Sequence, residues 1–80
     1  MQPIFSPAQV NAARQLYLGR KRINKTYWYA LMFDCGQFVG VIPGRSQVYV
    51  DEHADEWCAD SPGREFTRMS GRAVIQFAVA

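Results

Sequence analysis

The fold is decided by residues 26–42, TYWYALMFDCGQFVGVI, in which two runs of aromatic and aliphatic residues flank a short polar break. Such residues fit the pleated surface of a sheet, so we predict strands over residues 26–33 and 38–42. The intervening residues Asp34-Cys35-Gly36-Gln37 are typical of a turn. The whole stretch therefore predicts a β-hairpin.

A helix is predicted before the hairpin, over residues 7–18. Ser6 and Gln9 have the spacing of a capping box, and Pro7 suits the first helical position. Gly19 is a typical residue at a helix C-terminus. One apolar face is expected at helical spacing, formed by Val10, Ala13, Leu16 and Tyr17.

After the hairpin the pattern predicts a short strand over residues 47–50 and an acidic helix over residues 52–59, with Asp51 as N-cap. A closing hairpin of residues 65–69 and 73–79 is expected around Ser70-Gly71. The last segment is apolar on both faces except at Gln76, which is typical of a central strand.

These elements predict a single α+β domain over residues 1–80. Its expected order is α-β-β-β-α-β-β, a mostly antiparallel sheet of about five strands with two helices packed on it. The composition, 49% hydrophobic and 20% charged, is that of a chain that folds rather than a disordered one. An 80-residue domain leaves little room for a deep substrate cleft, which favours binding over catalysis.

The N-terminal sequence lacks the basic and apolar regions of a signal peptide, and residues 26–33 are too short to span a bilayer. The two cysteines, Cys35 and Cys58, do not form a disulfide scaffold, although one bridge between them stays open. We expect a cytoplasmic protein with free thiols and no membrane contact. An uncovered sheet face would allow a homodimer as well as a monomer.

The net charge of +2 hides a segregation along the chain. Residues 1–50 carry a net charge of +5, residues 51–60 carry −5, and residues 61–80 carry +2. Such asymmetry indicates interaction with charged partners. Two groups are predicted to bind a partner: basic residues Arg20, Lys21, Arg22 and Lys25, and acidic residues Asp51, Glu52, Asp55 and Glu56.

The basic group is followed by Tyr27-Trp28-Tyr29, so phosphate-binding cations lie next to rings that could stack on bases. Alternation along a strand places Trp28 on the face opposite the two tyrosines, which argues against one continuous platform. Arg64 and Arg68 would form a further basic patch around Phe66 if that face of their strand is open. The acidic group would instead suit a basic groove, including one that normally holds nucleic acid.

Catalytic and metal-binding patterns are weak. His53 lies near several carboxylates, but the chain has a single histidine and no Cys-x-x-Cys pair. Cys35 lies in the predicted turn, where no orienting residue is indicated. The sequence has no nucleophile elbow, phosphate-binding loop or dinucleotide fingerprint. We therefore predict no enzyme activity, no metal and no cofactor.

In size, aromatic density, split charge and lack of catalytic motifs, the chain resembles the small phage-encoded anti-CRISPR proteins. The resemblance implies a small inhibitor that blocks a bacterial CRISPR-Cas effector complex through protein–protein contacts in the host cytoplasm. It carries over no site residues. The alternative interpretation is a small regulatory protein that binds nucleic acid directly.

Overall fold

In a computed structural model, described over residues 5–19 and 23–79, helices pack on both faces of one antiparallel sheet. The strand order is β2-β1-β3, and both outer strands run antiparallel to β1. In chain order the elements are α1 (Pro7–Gly19), β1 (Trp28–Asp34), β2 (Gln37–Gly44), α2 (Gln47–Ala59), β3 (Arg64–Ser70) and α3 (Gly71–Val79).

The predicted first helix is confirmed, and its N-terminus has the expected capping box. The Ser6 amide donates to the Gln9 side-chain oxygen at 2.8 Å, and the Gln9 amide donates to the Ser6 hydroxyl at 3.2 Å. The Gln9 side chain also donates to the Thr67 hydroxyl of β3 at 2.7 Å. The capping residue thereby joins α1 to the sheet.

The buried face of α1 differs from the prediction at three positions, since Ala12 is buried, Val10 is half-buried and Tyr17 is exposed. Ala12, Ala13 and Leu16 are buried, whereas Tyr17 is 37% exposed. Ala12 and Tyr17 lie on opposite margins of the expected face. A slight rotation of the helix about its own axis therefore buries Ala12 and exposes Tyr17.

The predicted hairpin is confirmed as β1 and β2. Asp34 pairs with Gln37, so the turn consists of Cys35 and Gly36, whose φ angles of 52° and 84° are both left-handed. Positive φ at both central residues marks the turn type whose twist suits a two-residue hairpin.

The central strand is β1, not residues 73–79 as predicted. Tyr29, Leu31 and Phe33 point into the core under α1 and α3, and Ala30 points into a second core under α2. Burial on both faces explains why almost every residue of this strand is apolar.

Two predicted strands are helices, so the sheet of the described residues has three strands rather than five. Residues 47–50 form the first turn of α2, which begins after Ser46: this hydroxyl accepts the Tyr49 amide at 3.1 Å. Asp51 is therefore not the N-cap. The β-branched pair Val48 and Val50 favours a strand locally, but Val50 and Ala54 bury one helical face against the sheet.

Residues 73–79 were expected to form a strand and instead belong to α3. Val74 is buried, while Arg72 and Gln76 are exposed on one side. That spacing of four between the two polar residues is helical, because a strand would place both of them on the face that carries Val74. The Ser70 hydroxyl accepts the Ala73 amide at 3.2 Å at the start of this helix.

Candidate functional site

The outer face of α2 carries the most concentrated charge of the described residues. Val50 and Ala54 turn the opposite side of the helix into the core. The carboxylates that remain outside, all of them exposed, are those of Glu52, Asp55, Glu56 and Asp60. We call these four residues the acidic face. None of them forms an ion pair with any residue that the structure describes.

Asp51 belongs to the predicted acidic group but not to the acidic face. It lies at the margin of α2, and its carboxylate binds the Arg68 guanidinium of β3. The pair is about one-third exposed on each side. Asp51 therefore already has a partner inside the domain, and the structure separates it from Glu52, Asp55 and Glu56.

The carboxylates of the acidic face do not stabilise α2. Its first turn, residues 47–50, contains no acidic residue, and its last turn contains no basic one. The end of a helix where carbonyl groups remain free has partial negative charge, so a carboxylate in the last turn or at the C-cap is unfavourable by about 0.3–1 kcal/mol. Of the acidic face, this applies to Glu56 and Asp60. The expected explanation of the acidic residues, stabilisation of a first turn, is wrong because the helix begins at Gln47.

Arg64 offsets part of this unfavourable charge. Its guanidinium donates to the Trp57 carbonyl oxygen at 3.1 Å and lies 4.7 Å from the centroid of the Trp57 ring. It also lies 3.7 Å from the Asp34 carboxylate. A cation bound to a carbonyl group in the last turn suits that end of a helix.

The predicted basic patch of Arg64, Phe66 and Arg68 is not an open surface. Phe66 packs in the core under α2, and both arginines bind residues of that helix. Arg68 also lies 5.6 Å from the Trp28 ring centroid. The patch was expected to face a partner if uncovered, but α2 covers this face of the sheet.

The predicted basic group lies only partly within the described residues. Arg20, Lys21 and Arg22 fall outside them. Lys25 is exposed in a turn in which the Asn24 side-chain oxygen accepts the amide and hydroxyl of Thr26 at 2.9 and 2.8 Å.

The three adjacent rings have separate roles. Tyr29 is 2% exposed, and its hydroxyl accepts the Asn24 amide. Trp28 packs against the core under α2. Tyr27 lines one surface hollow and Trp28 lines a different groove, while Tyr29 is buried, so a platform made of all three rings does not form.

This hollow, of about 350 Å³, lies where the end of β2 meets the start of α2. Arg45 donates to the Tyr27 hydroxyl at 3.2 Å, and its guanidinium carbon lies 5.8 Å from the Tyr27 ring centroid. Tyr49 is 49% exposed and forms another wall. We call it the Tyr27–Tyr49 hollow; it is lined by Tyr27, Pro43, Gly44, Arg45, Ser46 and Tyr49.

Sequence reasoning missed the surface role of Val48 and Tyr49, which are 65% and 49% exposed. Both follow Ser46 in the first turn of α2 and flank the acidic face. The spacing Tyr49, Glu52, Glu56 and Asp60 is helical and was available in the sequence. It was obscured by the assignment of residues 47–50 to a strand.

The described cysteines are free, and neither is activated as a nucleophile. A hydrogen bond with the Asp34 carboxylate, together with its negative charge, raises the pKa of the exposed Cys35. Burial and the charge of Asp55 raise the pKa of Cys58. Both thiols are therefore held in the less reactive protonated form near neutral pH.

The titratable groups of the described residues are not grouped as in a metal site. The His53 ring packs at a tilt of 52° against that of Tyr49, with ring centroids 4.3 Å apart. Among residues 5–19 and 23–79, no three histidine, cysteine or acidic side chains are placed to hold a metal ion together. Over the same residues, no helix is long and apolar enough to cross a membrane.

A larger groove of about 600 Å³ lies beside β3 and α3. Among the described residues of its walls there is no carboxylate, histidine or cysteine, and the one arginine, Arg68, is bound by Asp51. Such walls supply no acid–base pair for catalysis. They comprise Phe5, Trp28, Arg68, Met69, Ser70, Ala73, Gln76 and Phe77.

Comparison of the chain with protein-family models, curated proteins and solved structures finds no match.

Proposed function

We propose that this chain is a small non-catalytic binding protein that docks through the acidic face of α2 onto a basic surface of a partner complex. The partner proposed is a CRISPR-Cas effector of a bacterial host, which the chain inhibits in the cytoplasm by protein–protein contacts. The observation that carries the docking surface is the set of four exposed carboxylates that form no ion pair with a described residue.

The position of these carboxylates supports a role in binding rather than in folding. All four follow the first turn of α2, and two of them, Glu56 and Asp60, lie at its C-terminal end, where they oppose the helix dipole. Residues that lower the stability of the fold at their own position are typical of functional sites.

The spacing of the carboxylates supports a basic groove as the docking partner. Glu52 and Asp60 are eight residues apart, which corresponds to about 12 Å along a helix axis. Four charges over that length give about one per 4 Å of axis, close to the roughly 3.4 Å of duplex axis per phosphate of one DNA strand. The acidic face thus resembles a short length of nucleic-acid backbone in its charge density.

The choice of a CRISPR-Cas effector combines this charge density with the resemblance of the chain to anti-CRISPR proteins. Such an effector holds its guide–target duplex in a positively charged channel. An acidic helix that enters the channel would exclude the nucleic acid. Charge complementarity would mainly accelerate and orient this encounter.

The absence of catalysis is proposed from the site chemistry. Both thiols have raised pKa values. Neither the Tyr27–Tyr49 hollow nor the groove beside β3 and α3 places a base beside a nucleophile among its described residues. Inhibition by occupancy needs no reacting group.

The test is inhibition of target-DNA binding by purified, guide-loaded CRISPR-Cas effectors of several types. The wild-type chain should inhibit at least one of them, and Asp55→Asn with Glu56→Gln should weaken the inhibition tenfold or more. The matched control is Asn11→Lys with Gln15→Lys, which changes the net charge equally on the exposed side of α1. If no effector is inhibited, or if both double variants lose inhibition equally, the proposal is wrong.

A further inference from the structure

The Tyr27–Tyr49 hollow is a second surface, whose chemistry differs from that of the acidic face. Within the part of the chain that the structure describes, its lining contains two tyrosine rings and one arginine but no carboxylate. Its volume of about 350 Å³ is at the lower end of the range for small-ligand pockets, about 300–1,000 Å³. A single unstacked base is a group of suitable size and shape.

We propose that the Tyr27–Tyr49 hollow binds single-stranded nucleic acid by stacking one base against its tyrosine rings while Arg45 contacts a phosphate. This inference goes beyond the docking of the acidic face and does not depend on it. It also differs from the predicted nucleic-acid surface, which comprised the adjacent rings 27–29, because this hollow combines Tyr27 with residues 43–49.

The rings are placed by the backbone at the end of β2. A Cβ atom at Gly44 would lie 2.5 Å from the Tyr49 ring and 2.9 Å from a Val50 methyl group. Only glycine therefore allows the ring to lie against the strand end. A second contact is with His53, whose ring centroid is 4.3 Å from that of Tyr49. Together they limit the rotation of Tyr49.

Arg45 is the cation best placed to reach a phosphate. It lies over Tyr27 and donates to its hydroxyl through Nε, which leaves the terminal guanidinium nitrogens available to a ligand. Lys25 is exposed two residues before Tyr27 in the sequence. Stacking rings combined with cations are typical of surfaces that bind single strands with little sequence preference.

The experiment is a fluorescence-anisotropy titration of a fluorescein-labelled dT12 oligonucleotide at 50 and 200 mM salt. Wild-type protein should bind at low salt. Tyr49→Ala should raise Kd about fivefold to a hundredfold, which is the range for loss of one stacked base. Tyr17→Ala, which removes an exposed tyrosine on α1, is the matched control and should leave Kd unchanged.

A charge variant tests the phosphate contact separately. Arg45→Ala should weaken binding and reduce the slope of log K against log salt by about 0.7, the contribution of one phosphate contact to a single strand. Arg72→Ala, an exposed arginine on α3, is its control and should leave the slope unchanged. Circular dichroism of each variant verifies that it is folded.

Three results would overturn the proposal: no binding of dT12 by wild-type protein at 50 mM salt, equal losses in Tyr49→Ala and Tyr17→Ala, or binding of a proline-rich peptide but not of dT12 at the hollow. Asp55→Asn with Glu56→Gln should keep its oligonucleotide binding. That variant therefore distinguishes failure of this inference from failure of the acidic-face proposal.

Discussion

The Asp51 carboxylate of α2 binds the Arg68 guanidinium of β3, and that guanidinium also lies over the Trp28 ring of β1. One cation thus joins the helix that carries the acidic face to two strands of the sheet. The pair fixes which side of α2 faces inward. It also removes one of the five acidic residues of the segment 51–60 from the outer surface.

Arg68→Ala should lower the free energy of unfolding by about 1–2 kcal/mol. The partly exposed ion pair contributes about 0.2–1 kcal/mol, and the cation–π contact about 0.5–1 kcal/mol. Urea denaturation measures the change. Arg72→Ala, on the exposed side of α3, is the control and should change stability by less than about 0.5 kcal/mol. Equal losses in the two variants would show that the Asp51–Arg68 pair contributes nothing.

Gly71→Ala should destabilise the fold by about 3 kcal/mol, at the upper end of the usual cost of overpacking. A Cβ atom there would lie 1.9 Å from the Asn24 carbonyl oxygen, while the Gly71 amide donates to the Tyr27 carbonyl at 2.9 Å. Steric overlap would separate the start of α3 from the turn before β1. Thermal denaturation measures the loss.

Gly19→Ala is the matched control, because a Cβ atom at the end of α1 would meet no atom within 4 Å among residues 5–19 and 23–79, apart from its chain neighbours and the backbone of its own helix. Alanine favours a helix by up to about 1 kcal/mol over glycine, so this variant should be neutral or slightly more stable. A Gly71→Ala protein as stable as Gly19→Ala would contradict the close contact at Asn24.

Alkylation of Cys35 should require a higher pH than alkylation of an unstructured cysteine peptide. The thiolate is the reacting form, and the Asp34 carboxylate raises the pKa of the thiol, so less thiolate is present at a given pH. Iodoacetamide labelling of the Cys58→Ser protein, followed by mass spectrometry across pH, measures the profile. Asp34→Asn should move it to lower pH. A profile at or below that of the peptide would contradict the assignment.

Secondary-structure elements that are determined by residues close together in the chain were predicted correctly from the sequence. The capping residues of α1 act within four positions, and the turn Cys35-Gly36 defines its hairpin within two. Neither depends on how the rest of the chain packs. The α+β class and the three strands β1, β2 and β3 follow from such signals.

The remaining elements depend on tertiary packing. Val48, Val50 and Val74 favour strands by local preference, yet burial of one helical face against the sheet outweighs that preference in α2 and α3. The polar spacing of Arg72 and Gln76 indicated a helix and was the signal that sequence reasoning overlooked. Because two of the predicted strands are helices, the sheet in the described part of the chain has three strands, and β1 is the central one.

The negative charge of the candidate site was predictable from the sequence, but the exact set of residues that form the site was not. The sequence predicted that Glu52, Asp55 and Glu56 form one acidic group, and the structure leaves all three exposed on α2. It did not indicate that Asp51 would turn inward to Arg68 or that Tyr49 would meet Tyr27 across the chain. Those contacts depend on the sheet order, which no local pattern contains.

The central claim, that the acidic face serves binding at a cost to folding, is tested by measuring stability and inhibition in one variant. Asp55→Lys with Glu56→Lys places cations toward the end of α2 where carbonyl groups remain free, so its free energy of unfolding should rise by about 0.5–1 kcal/mol. Inhibition of the effector that wild-type protein blocks should be lost. Unchanged inhibition, or a fold less stable than wild type, would contradict the account.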